Sequence, residues 1–465
     1  MRLNWRDIGS GRADEADQTS VEIEGFAVTV LPGVNAARFI LVSEPGCCTG
    51  CFPSDPLASV EVFATDPIAM GGRSLRLTGV WGVRSDGREG PRYQLQNARL
   101  MEPSGWQSVK RRGLLAAGPL MCLAACASTP ETTAQRKTDA QRAIQVAPSV
   151  DLHSHAGGIA NARRMREGRG FSAVAAPMRQ GGMAAICMAI VSDSPTHKIM
   201  SDGRLHPYRD PAPGELYEYA QLSFGRVHGI VRDEGISIIR TAADLRAARA
   251  GTASVIVASE GADFLEGRPD RVDEAYSKWS LRHLQLTHYR VNELGDIQTE
   301  PAVHGGLSDA GAEVIRRCNR LGVVVDVAHG TYDLVKRAAS VTTKPLILSH
   351  TALTTSPRQF TRLITPVHAQ VIASTGGVIG VWPDGTAFWS FTAMATHMAR
   401  LVDVVGVDHV GLGTDLRGLV GPSVIKDYDE LPSFAEALLE VGFSVTDTTK
   451  LLGGNYVRVF EASLA

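Results

Sequence analysis

Val150-Asp151-Leu152-His153-Ser154-His155 is a short apolar run that stops on two imidazoles. Side chains on a strand alternate with period two, so His153 and His155 share one face and can reach one ion. The pattern recurs down the chain. Ser254 to Ala258 leads to Glu260, Leu284 to Thr287 to His288, Val323 to Ala328 to His329, Leu346 to Ser349 to His350, and Val410 to Thr414 to Asp415. Helical stretches such as Asp309 to Leu321, Asp333 to Ala339 and Pro366 to Ser374 fall between these runs, which is the βα rhythm of a parallel sheet. Strand ends that carry polar residues, repeated in this way, predict a (β/α)8 TIM-like barrel whose C-terminal rim holds the site. One histidine closing an apolar run is ordinarily a satisfied core or surface residue. Six runs ending in metal-competent residues are a different observation.

Imidazole and carboxylate suit zinc, and a carboxylate with two oxygens can bridge two ions about 3.5 to 4 Å apart. Glu260 is the expected bridge, with His153 and His155 on one ion and His329 and His350 on the other. Two Zn2+ per chain would share a hydroxide whose pKa falls toward ~7. Asp415, on the last strand, is placed to take its proton and pass it to a leaving amine.

At these residues the chain resembles the membrane (renal) dipeptidase family, a peptidase family of the amidohydrolase superfamily. The resemblance rests on Asp151-Leu152-His153-Ser154-His155, Ser259-Glu260-Gly261, Leu286-Thr287-His288, Asp326-Val327-Ala328-His329, Leu348-Ser349-His350 and Gly413-Thr414-Asp415. It implies that His288 contacts the substrate near the scissile carbonyl and that Arg362 helps hold the substrate. A guanidinium can clamp a terminal carboxylate through two parallel bonds, which selects short peptides with a free C-terminus. Two departures stand out: the family has His-x-Asp where this chain has His-x-His, and Trp382 stands where a substrate-contacting tyrosine is expected. The first metal site is therefore one charge less negative, and substrate preference is open. Another amidohydrolase activity, such as a deacylase or lactonase, is the nearest alternative, because the same nucleophile attacks many carbonyl centres. A surface lipoprotein that keeps the barrel without catalysis is the alternative of another class.

Ahead of the barrel, residues 149 to 465, the chain changes character. Short β-rich runs from Phe26 to Leu31, Arg38 to Ser43, Ser59 to Ala64, Leu75 to Val83 and Tyr93 to Leu100 predict a small β-rich domain over residues 1 to 107. Cys47, Cys48 and Cys51 within it offer one Cys-x-x-Cys pair, too few ligands for a zinc shell. Residues 108 to 148 read as a signal-like segment and linker. Lys110-Arg111-Arg112 precedes the apolar run Gly113 to Cys122, and Leu123-Ala124-Ala125-Cys126 looks like a bacterial lipobox. The expectation is an exported enzyme held by a lipid on Cys126 at the periplasmic or outer face of a bacterial envelope. Its position more than a hundred residues into the chain implies a fusion of two genes or a translation start placed too early. Ser128 to Gln145 reads as a polar linker.

At 465 residues, 44% hydrophobic and 21% charged, the chain can bury a full core in two parts. Lys+Arg 47 against Asp+Glu 49 gives a formal charge of -2, which excludes a global field for nucleic acid. The expected partner is a small peptide substrate, with membrane contact only through the lipid; a second copy of the chain, as a homodimer, is a candidate partner.

Overall fold

A computed structural model describes residues 1, 3–28, 35–42, 59–69, 74–83, 92–101, 130–160, 172–355, 359–388 and 390–465. The cysteine motif at Cys47 to Cys51 and the signal-like segment with Cys126 lie outside them. The chain divides into two compact units, one consisting mainly of Met1–Thr129 and the other of Pro130–Gly385 with Ser390–Ala465.

In the first unit, strands β1 (Ser20–Val28), β2 (Asn35–Val42), β3 (Ser59–Ala69), β4 (Ser74–Val83) and β5 (Tyr93–Leu100) close a barrel in the order β1-β2-β3-β5-β4. β3 and β5 run parallel, whereas β1 pairs antiparallel with both β2 and β4. This is the five-stranded Greek-key architecture of OB-folds, which by itself fixes no function. Alternation drives it: Val21 and Ile23, Val60 and Val62, Leu75 and Leu77, and Tyr93 and Leu95 all point into one core with Trp81. The first strand begins at Ser20, earlier than the expected Phe26, because Val21 and Ile23 alternate with Glu22 and Glu24.

The second unit holds eight parallel strands side by side in chain order: β6 (Val150–Ser154), β7 (Ala185–Val191), β11 (Ser254–Glu260), β12 (Leu281–Gln285), β13 (Val324–Asp326), β14 (Ile347–Thr351), β15 (Val378–Val381) and β16 (Val410–Leu412). Between β7 and β11 come an antiparallel hairpin, β8 (His197–Ile199) with β9 (Leu205–Pro207), and the short β10 (Ser237–Ile238), which pairs with β11. β7 and β11 are buried along their whole length, as expected of strands covered on both faces. The barrel closes at its rim. Ser154 bridges Leu416 in parallel, His155 N–H donates to Leu416 O at 2.9 Å, and Asp415 N–H donates to His153 O at 2.9 Å. The seam thus joins the first histidine motif to the last carboxylate through backbone.

Helices Asp309–Leu321, Tyr332–Val341 and Pro366–Ser374 follow the expected segments. Each starts on a hydroxyl cap, Ser308, Thr331 or Thr365, that accepts a backbone N–H of the first turn. The expected linker Ser128 to Gln145 is a correction: Pro130–Val146 is an α-helix. Its Ala, Gln, Arg and Lys residues are strong helix formers, Pro130 suits the first helical position, and Ala140, Ala143 and Ile144 supply a buried stripe. Polarity disguised it as a linker. Among the described residues, no helix is long and apolar enough to cross a membrane.

Candidate metal centre

The strand ends bring the expected residues to one place. His153 lies within β6 and His155 just beyond it, Glu260 is the last residue of β11, and His350 lies within β14. His288, His329 and Asp415 each stand three residues past β12, β13 and β16. All are buried. Glu260 is the hub: its Oε1 lies 3.4 Å from His153 Nε2, 3.2 Å from His329 Nε2 and 3.5 Å from His350 Nε2, and its Oε2 lies 3.0 Å from His155 Nε2 and 3.3 Å from His288 Nε2. The Nε2 atoms also meet in pairs, His153 with His155 at 3.2 Å and His329 with His350 at 3.1 Å.

One proton can serve only one atom of such a nitrogen pair, so two buried pairs around a single carboxylate have the donor chemistry of cation ligands. Ligand atoms within 4.8 Å of one another form the sets His153-His155-Asp415, His153-Glu260-His350 and Glu260-His288-His329. His153 sits with His329 and His350 on Oε1, while His155 shares Oε2 with His288.

Outer partners aim the rings. His155 Nδ1 lies 2.8 Å from Ala189 O, His350 Nδ1 lies 2.9 Å from Ser349 Oγ, and His288 Nδ1 lies 2.7 Å from Asp193 Oδ1. For His155 and His350, a proton on Nδ1 facing an acceptor leaves the Nε2 lone pair turned inward, the state a ligand requires. Asp326, fully buried, accepts from the backbone N–H groups of Ala328 and Ser349, and its other oxygen lies 3.1 Å from His283 Nε2. Asp151 accepts from the backbone N–H and hydroxyl of Thr414 and from the Tyr428 hydroxyl. These two aspartates stitch neighbouring strand ends to each other.

The backbone is strained here. His329 at φ 67° and Asp415 at φ 48° occupy the left-handed region, which non-glycine residues seldom adopt and which clusters at functional sites. Gly418 is required by contact: a Cβ there would fall 2.0 Å from Asp415 Oδ1 and 2.4 Å from His155 Cδ2.

Electrostatics sort the groups. Burial alone would raise the Glu260 carboxyl, but the rings of His288 and His153 outweigh it and hold it well below the usual range. Burial would lower His153, yet Glu260 overrides it and raises it to about 9. His329 and His350 are pushed well below the usual imidazole value, first by burial and then by nearby positive groups including Arg362. Burial raises Asp415 to about 6, with the charge of His155 opposing and that of Glu260 reinforcing.

Arg362 reaches the same centre. One terminal nitrogen donates to Gln298 Oε1 at 2.9 Å, and the other lies 3.0 Å from His350 Nε2. Its guanidinium lies 5.5 Å from the Trp382 ring centroid, and that ring is 6.1 Å from His350. Arg362 Nε and Trp382 Nε1 are buried with no hydrogen-bond partner among the described residues. Sequence reading overlooked Tyr289, whose ring is 5.0 Å from that of His329, along with Gln298 and Asp193. Asp193 had a signal: it follows the apolar run Ala185 to Val191 just as the other rim residues follow theirs. The motifs contain Asp151 and Asp326, but nothing in the sequence shows that they bridge strand ends.

Comparison with known proteins agrees with this geometry. The membrane dipeptidase (peptidase family M19) model matches residues 139–464. The dipeptidase aclJ of Aspergillus oryzae is 31% identical over 219 residues, 45% of this chain and 51% of that protein. The chain thus spans about half the length of that curated relative. Among solved structures, the metallopeptidase dipeptidase AC is 24% identical with a TM-score of 0.59, covering 69% of this chain and 99% of its own. A Rhodobacter sphaeroides metallopeptidase, liganded with a phosphinate mimic of L-Ala-D-Ala, is 23% identical with a TM-score of 0.58, covering 68% and 99%. These two likenesses concern the fold; the family match covers the barrel and all of its rim residues, and the chain belongs to the membrane dipeptidase family.

Proposed function

We propose that the chain is a zinc-dependent dipeptidase with two ions per barrel. The observation that carries the reading is the convergence of four histidine Nε2 atoms on the two oxygens of one buried glutamate. His153, His155 and Glu260 would hold one ion, and Glu260, His329 and His350 the other. Bound zinc would supply a nucleophilic water activated toward neutral pH and polarisation of the scissile carbonyl.

The chain's own residues do the rest. Asp415, whose buried Oδ1 has no hydrogen-bond partner among the described residues and lies 3.4 Å from His155 Nε2, accepts the proton of the attacking water and returns it to the leaving amine. His288 directs Nε2 at the centre and donates to the oxygen that gains charge. Arg362 can leave His350 for the substrate's terminal carboxylate once His350 Nε2 is engaged as a ligand. Trp382 replaces a hydroxyl donor with an indole N–H and adds bulk beside that carboxylate.

Metal analysis with turnover of L-Ala-L-Ala, L-Ala-D-Ala and simple lactones tests the reading. Two zinc per chain with dipeptide hydrolysis is the expected result; lactone turnover alone would transfer the chain to another amidohydrolase activity. We also propose that Cys126 is lipidated and anchors the enzyme at the bacterial envelope, on the strength of the basic, apolar and small-residue pattern. Cys126→Ser should then release the protein from membranes, and unchanged membrane association would reject the anchor.

A further inference from the structure

His288 is held from behind. Its Nδ1 is 2.7 Å from Asp193 Oδ1, while its Nε2 is 3.3 Å from Glu260 Oε2. Asp193 follows β7 and His288 follows β12, with β11 between them, so the pair closes over the end of the strand that carries Glu260. Gly261, next to Glu260, makes this approach possible. It adopts φ 75°, and a Cβ there would fall 2.7 Å from Asp263 Oδ2, 2.9 Å from Ser192 Oγ and 3.3 Å from His288 Cβ.

Asp193 is fully buried and well supplied with donors. Its Oδ2 accepts the Tyr289 backbone N–H at 3.1 Å, and His197 Nδ1 from the β8–β9 hairpin lies 3.3 Å from its Oδ1. Burial by itself would raise this carboxyl, but His288 and His197 hold it below the usual carboxylate range. The neighbouring Asp263, paired with Arg290 at 3.1 Å, is instead pushed up to about 7 by burial and by the charge of Asp193. The negative charge behind His288 therefore belongs to Asp193.

We propose that Asp193 is the positioning residue for His288: its carboxylate accepts the Nδ1–H, fixes the ring plane and so aims the Nε2–H at the substrate carbonyl. The aspartate of serine hydrolases likewise orients its histidine and stabilises positive charge on the ring without itself taking the proton. The role rests on the dipeptidase reading above. A third cation on Asp193, His197 and His288, whose ligand atoms lie within 4.8 Å of one another, is the competing use of these residues. The 2.7 Å contact has the length of a charge-assisted hydrogen bond, and a backbone N–H occupies the second oxygen; both favour the pair over a metal.

The test compares the full zinc-loaded chain with Asp193→Asn and Asp193→Ala. In the asparagine variant the Tyr289 N–H retains the amide oxygen, so the NH2 faces Nδ1, which can then carry no proton, and the ring loses its anchoring carboxylate and the charge-assisted bond. Both variants should keep the wild-type zinc content, lose about 10²- to 10⁴-fold in kcat and change KM by less than about threefold. The downfield proton resonance of the His288 Nδ1–H, identified by its absence in His288→Asn, should vanish in both. A kcat within about threefold of wild type, a raised KM at unchanged kcat, or loss of a third equivalent of metal would each overturn the proposal. The isosteric asparagine variant decides the matter if Asp193→Ala does not fold. Wild-type chain that turns over no dipeptide would reject the enzymatic reading, and the His288 resonance would still decide the role of Asp193.

Discussion

Glu260 concentrates the account at the scale of single residues. Five imidazole nitrogens lie between 3.0 and 3.5 Å from its two oxygens, so its loss should empty both metal positions at once. Asp415 should behave differently: Asp415→Asn keeps the histidines and Glu260, retains zinc on metal analysis, and loses about 10²- to 10⁴-fold in kcat through the missing proton acceptor. Full activity in that variant would remove Asp415 from the mechanism. Every metal-competent residue expected at the centre was legible because each closes an apolar run. The supporting residues were harder to see. Asp193 closes a run as well, but a lone carboxylate has no motif partner nearby in sequence, and Tyr289 and Gln298 sit in loops where chain spacing carries no distance information. The assignment of individual histidines to Glu260 oxygens was not legible either, since side-chain rotation after the strand ends decides it.

Strands and helices carry the next set of consequences. The apolar β-branched runs fixed where strands lie, yet β13 spans only Val324–Asp326, and the left-handed turn at His329 then swings that ring back over the centre. Period-two patterning cannot foresee such a turn. The helix Pro130–Val146 shows the converse failure, because a mostly polar sequence hid a three-residue buried stripe. Hydroxyl caps are simpler to test. Thr365→Ala removes the acceptor for His368 N–H and should cost about 1 kcal/mol in chemical unfolding while leaving kcat unchanged. Helix Phe391–Val405 adds a pH dependence. Its His397 accepts the Leu353 N–H at 2.8 Å, and burial lowers it from 6.5 to about 4. The unfolded chain binds that proton more readily, so this contribution is complete above pH 6.5 and is lost as pH falls toward 4. Metal-free His397→Gln should flatten the acid slope of stability by up to about 3 kcal/mol relative to metal-free wild type. Identical slopes would exclude His397 as its source.

For the whole molecule, closure of the barrel is what turns separated motifs into one site. Asp415 is 260 or more positions from His153 and His155 in sequence and becomes adjacent to them only because the end of β6 and the segment after β16 share backbone hydrogen bonds. The (β/α)8 expectation predicted that adjacency in outline, since first and last strands of a barrel must meet. The OB-type order of the first unit was not foreseen: alternation reports that strands exist, whereas the parallel pairing of β3 with β5 depends on contacts across the barrel. The most direct test is anomalous diffraction at the zinc edge from crystals of the zinc-loaded chain. The account predicts two peaks flanking the Glu260 carboxylate about 3.5 to 4 Å apart, both absent in Glu260→Ala. Peaks that survive in that variant, or zinc bound only away from Glu260, would contradict it.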